Sequence, residues 1–408
     1  MALILKIVFW TCLGAIAYSY VGYPLILYLL SIVSQATSDL LFLLRRRSRR
    51  AAETRGSWPS VAIVISAYNE EAIIGARLKN ALEISYPQDR FEILLGLDSP
   101  SDATADIARE IRSANLKIFQ FPERRGKLAV VSDLVKCTSA EVLVFTDANT
   151  MFEPHCVANL VRHFCNPAIG AVSGEEVRVS APGIDPGAEG LYWSYESALK
   201  LLESRAHLLH SVNGGVYAIR RSLFHPPLNL IVEDFQIPLE LRFQGHRILY
   251  DPEAVATEEI APNFDSQFER RIRLSAGNFQ TLFGNIEYLN PLNGGVALAY
   301  WSHRVLRWLT PFFMVTAFAC SLFLLKSLWY GSLLAVQVTF YGFALAGFWL
   351  KKRGGMPVLC KGPLYFCTMN AALVLGLLRF CSGRQSVAWT VTPRQVDSTV
   401  STSGQGKQ

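Results

Sequence analysis

No CxxC pair and no histidine at zinc-ligand spacing accompany the eight cysteines, which stand singly at Cys12, Cys137, Cys156, Cys165, Cys320, Cys360, Cys367 and Cys381. Neither a disulfide framework nor a zinc site is indicated, which suits a reducing cytoplasm for the middle of the chain. Internal repeats are absent. Charge is also scarce: Asp, Glu, Lys and Arg make up 18% of 408 residues, against 51% hydrophobic residues and a mean hydropathy of +0.24. Such a chain is too apolar for an ordinary soluble enzyme, and its composition fits a soluble domain attached to membrane spans. The net charge of +6 is concentrated at Arg45, Arg46, Arg47, Arg49 and Arg50, just after an apolar segment. This block reads as a topology signal, not as a nucleic-acid footprint, and no nucleic-acid partner is expected.

What is present begins with a nearly continuous apolar run from Leu3 to Val33, broken by Pro24. It exceeds the ~20 helical residues needed to cross a bilayer. A cleaved signal peptide is the competing reading, given Ala15 and Ala17, but the run continues well past them and the heavier charge follows it. The basic block then puts residue 45 onward in the cytoplasm. Three further apolar spans, Leu306 to Leu325, Leu333 to Leu350 and Leu364 to Phe380, are expected to cross, with Lys351, Lys352 and Arg353 cytoplasmic between the last two. Arg379 and Arg384 at the outer end of the last span oppose the charge rule.

Between these spans, short β-branched runs alternate with amphipathic stretches, the pattern of a mostly parallel α/β sheet. Strands are predicted at 61–66, 92–97, 116–121 and 142–145. A helix carrying Ile73, Ile74, Leu78 and Leu82 follows the first, and a Ser101-capped helix running through Ala114 follows the second. Three strand ends thus deliver Tyr68 and Glu70, then Asp98, then Asp147 to one sheet edge, where open α/β sheets bind ligands. Clustered carboxylates repel, so a divalent metal or Lys and Arg groups belong among them. Farther on, a helix is predicted from Leu191 to Leu209, ahead of the paired glycines of Asn213-Gly214-Gly215, which allow close backbone approach. Glu233 and Asp234 follow an apolar pair: on a strand one of them would face a site, and on a helix N-terminus both could be solvent-facing caps. A strand is predicted at 247–250. Gln267 to Phe283 interleaves Arg270, Arg271 and Arg273 with apolar residues and suits a helix at the membrane surface.

Taken in order, VAIVISAYNE at 61–70, Asp98 in LDSPSDAT, Gly126-Lys127, Asp147-Ala148-Asn149, Glu233-Asp234 and Gln267-x-x-Arg270-Arg271 resemble the motifs of membrane-bound family 2 glycosyltransferases, the group of cellulose, chitin and hyaluronan synthases. The resemblance implies a GT-A type nucleotide-sugar-binding domain with a mostly parallel sheet, plus one N-terminal and about three C-terminal transmembrane helices. It implies inverting transfer of a hexosyl or N-acetylhexosaminyl group from a nucleotide-sugar donor to a polysaccharide or lipid-linked acceptor. By the same resemblance Ala67, Tyr68 and Glu70 contact the nucleotide, Asp98 the base or ribose, and Lys127, Glu233 and Gln267 belong to the donor site. Asp147 and Asn149 hold Mg²⁺ or Mn²⁺ against the diphosphate, Asp234 is the general base, and Arg270 and Arg271 lie over the phosphates. Asn149 replaces an acid, and Arg271 replaces the tryptophan of QxxRW, which removes an aromatic platform that processive synthases offer to the growing chain.

The implied organisation is a membrane anchor at 1–35, a basic juxtamembrane linker at 36–58, the cytoplasmic GT-A domain at 59–265, an interfacial QxxRR region at 266–300, C-terminal membrane helices at 301–382 and a disordered tail at 383–408. The expected location is the inner cell membrane, among membrane lipids. Transfer of one sugar to a polyprenyl phosphate, a non-catalytic scaffold and the need for an export partner subunit are the alternatives.

Overall fold

The computed structural model describes residues 1–45, 58–179, 187–227, 229–259, 264–351 and 355–384. The arginines at 46–50, most of the linker, residues 352–354 and the tail from 385 lie outside them, and with them most of the charge-block expectations.

Helices α1 (Ala2–Ala17) and α2 (Tyr23–Arg45) join through a π-helical turn at Tyr18–Gly22. Together they form an apolar helix that continues well beyond the expected end at Val33. The extension has a partner: Tyr23 and Leu27 pack on Leu199, and Ser34 Oγ donates to the Arg205 carbonyl at 2.7 Å, so α2 runs along the α/β domain.

The domain then unfolds as β1 (Val61–Ala67), α3 (Ile74–Leu82), β2 (Phe91–Asp98), α4 (Thr104–Glu110), β3 (Leu116–Phe121), α5 (Lys127–Lys136), β4 (Val142–Asp147), β5 (Thr150–Phe152), α6 (Cys156–Val161), β6 (Ile169–Val179), α7 (Gly187–Arg205), β7 (Tyr217–Arg220), α8 (Glu233–Phe243) and β8 (Arg247–Glu259). The sheet order is β3-β2-β1-β4-β7-β6-β8-β5. Strands β1 to β4 are mutually parallel, β6 and β8 are parallel, and β7 and β5 are antiparallel to their neighbours. The all-buried run of β1 explains the absence of alternation in its sequence: both faces are covered, one by α3 and α6, the other by α5 and α8.

Three elements differ from expectation. Ser101 caps no helix, because its hydroxyl is held by Asn69, whose Nδ2 donates to it at 3.0 Å; α4 starts at Thr104 and ends at Glu110, short of Ala114. The segment predicted at 191–209 begins earlier and stops at Arg205. Strand β8 runs past Pro252 to Glu259, because the register with β6 shifts between Gly174 and Glu175, and the proline falls where no ladder bond is needed.

The C-terminal part comprises α9 (Phe264–Gly284), α10 (Gly295–Tyr300), α11 (Leu306–Phe323), α12 (Leu328–Lys351) and α13 (Val358–Cys381). Among the described residues, four helical runs are long and apolar enough to cross a membrane: Ala2–Leu44, Gly295–Phe323, Leu328–Lys351 and Val358–Cys381. Polar pairing ties them to the domain. His303 has Nδ1 2.7 Å from Glu203 Oε1 and Nε2 3.3 Å from Glu196 Oε2, Tyr23 donates to Glu203 at 2.8 Å, and Arg307 Nη1 lies 2.5 Å from Glu196 Oε1.

Helix α9 packs along α13, where a Cβ on Gly376 would come within 2.4 Å of the Ser275 side chain. Gly376→Val should separate these helices and cost about 2 kcal/mol, measured as a lowered unfolding temperature in lipid nanodiscs.

Candidate active site

Lys127 is the centre of the site. Its ammonium lies 2.7 Å from Asp147 Oδ1 and 3.0 Å from Glu233 Oε1, joining the end of β4 to the start of α8. Burial alone would lower the lysine pKa, but the two carboxylates hold it well above the ordinary value. Its position is fixed by the preceding turn. Asp98 Oδ1 and Oδ2 accept the backbone N–H groups of Arg125 and Gly126 at 2.7 and 2.9 Å, and Gly126 sits at φ 85°, where a side chain would be strained. Asp98 has no exposed surface. Both its oxygens accept from that turn, so its geometry supports Lys127.

Glu233 and Asp234 open helix α8, yet neither is a solvent-facing cap. The expected strand-or-cap choice resolves into a third arrangement, with both acids turned into one cavity. Burial and the adjacent Glu233 push Asp234 up to about 6, while Lys127 and Lys200 pull it down. The loop before β7 closes on this acid: Val212 N–H donates to the Asp234 carbonyl at 3.1 Å, and a Cβ on Gly214 would lie 2.8 Å from Asp234 Oδ2. The paired glycines thus admit the backbone to a carboxylate.

A cavity of about 1670 Å³ collects Glu70, Lys127, Asp147, Asn149, Glu233, Asp234, Arg270 and Arg271. Ala67 is buried at the end of β1, Tyr68 lies under the Arg124 guanidinium at 3.9 Å, and Gln267 sits on α9 one turn before Arg270; these three and Asp98 are not among its lining residues.

The next layer of the site carries little signal in the sequence. Glu258 accepts from Asn149 Nδ2 at 3.1 Å and from Arg270 Nη1 at 3.0 Å, while Arg178 lies 2.9 Å from Glu176 and 3.5 Å from Glu258. Burial would raise Glu258, but Arg270 and Arg178 hold it below the usual carboxylate range. Behind β4, fully buried Arg77 reaches Thr146 Oγ1 at 3.3 Å and stacks on Phe152 at 4.5 Å. Its place among Ile74, Leu78 and Ala81 on the buried face of α3 was the available signal.

Asp147 and Asn149 offer oxygen donors, and the orphaned hydroxyl of buried Thr150 and the Glu176 carboxylate lie close by, at 2.9 and 3.0 Å from where a Cβ on Gly215 would stand. An all-oxygen set of this kind fits a hard divalent cation. Glu203, His210 and His303 also bring ligand-type atoms within 4.8 Å of one another, but there the imidazole of His303 is already engaged by carboxylates.

An α/β sheet with these acids at its edge and mixed strands beyond β4 is a GT-A like domain. The mannosyltransferase PcManGT from Pyrobaculum calidifontis, solved in complex with GDP-Man and Mn²⁺, shares the fold at a TM-score of 0.68 and 22% identity, over 93% of this chain and 99% of that one. Residues 62–225 match the model described as Glycosyl transferase family 2, and this part of the chain is a glycosyltransferase family 2 domain. Curated relatives include the probable glycosyltransferase YdaM of Bacillus subtilis, 24% identical over 54% of this chain and 55% of that protein. The beta-monoglucosyldiacylglycerol synthase of Trichormus variabilis is 29% identical over 42% of this chain and 37% of that protein. The chain therefore spans about half the length, or less, of these curated relatives.

Proposed function

We propose that this protein is an inverting membrane glycosyltransferase that moves a sugar from a nucleotide-diphosphate donor to a lipid-linked or glycan acceptor. The observation that carries the reading is the Lys127 bridge, which joins the acid of β4 to the acids of α8 in one cavity. The cavity wall continues to Leu373, Leu375 and Leu378 of α13, which supports an acceptor entering from the lipid side.

Asp234 takes the proton from the acceptor hydroxyl, whose oxygen attacks the anomeric carbon as the bond to the diphosphate breaks. One in-line carboxylate and no covalent intermediate give inversion. Asp147 and Asn149 would hold Mg²⁺ or Mn²⁺, which when bound neutralises charge gathering on the departing diphosphate. Arg270 adds donors to the same oxygens, and Glu258 keeps its guanidinium in place. Asp98 contributes by holding the turn that aims Lys127. The apolar helices and Arg45 at the end of α2 support an integral membrane protein of the inner membrane with this domain cytoplasmic.

The test is turnover by the full chain in nanodiscs with UDP- and GDP-sugars and Mg²⁺ or Mn²⁺, with Asp147→Ala as control. One donor should be consumed, and both chelation with EDTA and the substitution should lower turnover by at least about a hundredfold. Donor consumption that ignores both would overturn the metal assignment, and no consumption or binding of any donor would overturn the transferase reading.

A further inference from the structure

The N-terminal helix is apolar for longer than a membrane needs. From Ala2 to Leu44 it runs for 43 residues. That is about 65 Å, whereas about 20 residues cross the ~30 Å hydrocarbon core, so the crossing is complete near Gly22. The partners of the helix agree with this level. The Tyr195 hydroxyl of α7 donates to the Tyr20 carbonyl at 2.8 Å, and Ser34 meets the carbonyl of Arg205, an exposed residue. Beyond Ser34 the helix is therefore in water, yet Leu40, Leu41, Leu43 and Leu44 are 48–71% exposed there. Holding the whole helix in lipid instead would require a tilt above about 60°, outside the 0–40° of membrane helices.

The exposed residues have a rhythm. Ile26, Leu30, Val33, Thr37, Leu40 and Leu44 recur at intervals of four, three, four, three and four, the spacing of a coiled-coil seam. Leu29 and Leu43 widen it on one flank, and all eight residues are exposed. On the other flank Leu27 and Ser34 are taken up by α7, which leaves one side open and suits a pair of helices better than a larger bundle.

The polar groups of the seam tolerate burial. Thr37 Oγ1 already donates to the Ser34 carbonyl at 2.9 Å, so covering it leaves no donor unmet. Between Leu25 and Leu44 the one charged residue is Asp39, outside the seam. Arg45 opposes pairing only at the far end, where salt screens it. The seam's seven large apolar side chains expose roughly 100 Å² each, about 700 Å² per copy and about 1,400 Å² per pair, which is the size of a specific interface.

A second copy is anchored in the same membrane in the same orientation. Its α2 runs parallel and offers the same seam across a two-fold axis along the membrane normal. We propose that α2 pairs with the α2 of a second copy of this chain, as a parallel coiled coil that continues beyond the membrane beside the α/β domains. This goes beyond the transferase reading and does not depend on it.

The test uses the full chain. In membranes oxidised with copper phenanthroline, Leu40→Cys should cross-link into a pair well above the background set by the native cysteines of wild type. Gln35→Cys, on the opposite face of α2, should stay at that background. Native mass spectrometry in detergent should give twice the 45.4 kDa of one chain. Leu40→Glu combined with Leu44→Glu should weaken pairing at least about a hundredfold, with an unchanged circular dichroism spectrum, because both side chains are exposed within one copy. Equal cross-linking at Leu40→Cys and Gln35→Cys, a single-copy mass for wild type, or a paired mass that survives both glutamates would overturn the proposal. Labelling of residues 40–44 by a photoactivatable phosphatidylcholine would also overturn it, in favour of the membrane as what covers the seam.

Discussion

Asp234→Asn should lower kcat by about a thousandfold while leaving nucleotide-sugar binding nearly intact. An amide cannot take the acceptor proton, and Asp234 is not the carboxylate that Lys127 grips. The pH dependence follows from the environment of the acid. Burial and Glu233 raise Asp234 to about 6, and a base acts only when ionised, so transfer should fall as pH drops through that value. Stability should move oppositely. The unfolded acid titrates near ~3.9, so ionising Asp234 in the fold costs stability as pH rises from there through about 6. The asparagine variant removes that cost and should melt a few degrees higher at neutral pH, as thermal unfolding in nanodiscs would register. A variant that loses activity and also melts lower would assign Asp234 a structural role instead.

Lys127→Met is the second large effect. Asp147 and Glu233 would then face each other across the cavity with no cation between them. Removing one partner of a buried ion pair typically costs 3–5 kcal/mol; these side chains retain some exposure, so about 3 kcal/mol is expected. Turnover should fall at least about a hundredfold, because both carboxylates move from the positions that serve the donor. Added Mg²⁺ or Mn²⁺ should recover part of the lost stability, since a cation restores the missing charge. The same addition to wild type should move its melting temperature less.

The sheet edge could be read from sequence because β1, β2 and β4 are buried runs that each break abruptly into polar residues. Glu233 and Asp234 could not be assigned, since IVED is compatible with either a strand end or a helix start. The helix forms there because Ile231, Val232 and Phe235 bury against Phe279 and Trp308, contacts distant in sequence. Asp98 carried the right motif, but its hydrogen bonds to the 125–126 backbone depend on where the next strand crosses. The end of the N-terminal helix was missed for a related reason: past Val33 the helix is met by the domain, where Ser34 bonds the Arg205 carbonyl, a contact distant in sequence.

The length of that helix matters. Its 43 apolar-rich residues extend about 65 Å, roughly twice the ~30 Å hydrocarbon core. The helix is held at two heights: Phe9 and Cys12 pack among Ala317, Cys320 and Tyr330 of the membrane helices, and Tyr23 and Leu27 pack against Leu199 of α7. One continuous helix thus ties the apolar helices to the α/β domain, and residues inserted between Cys12 and Tyr23 would turn and shift one against the other.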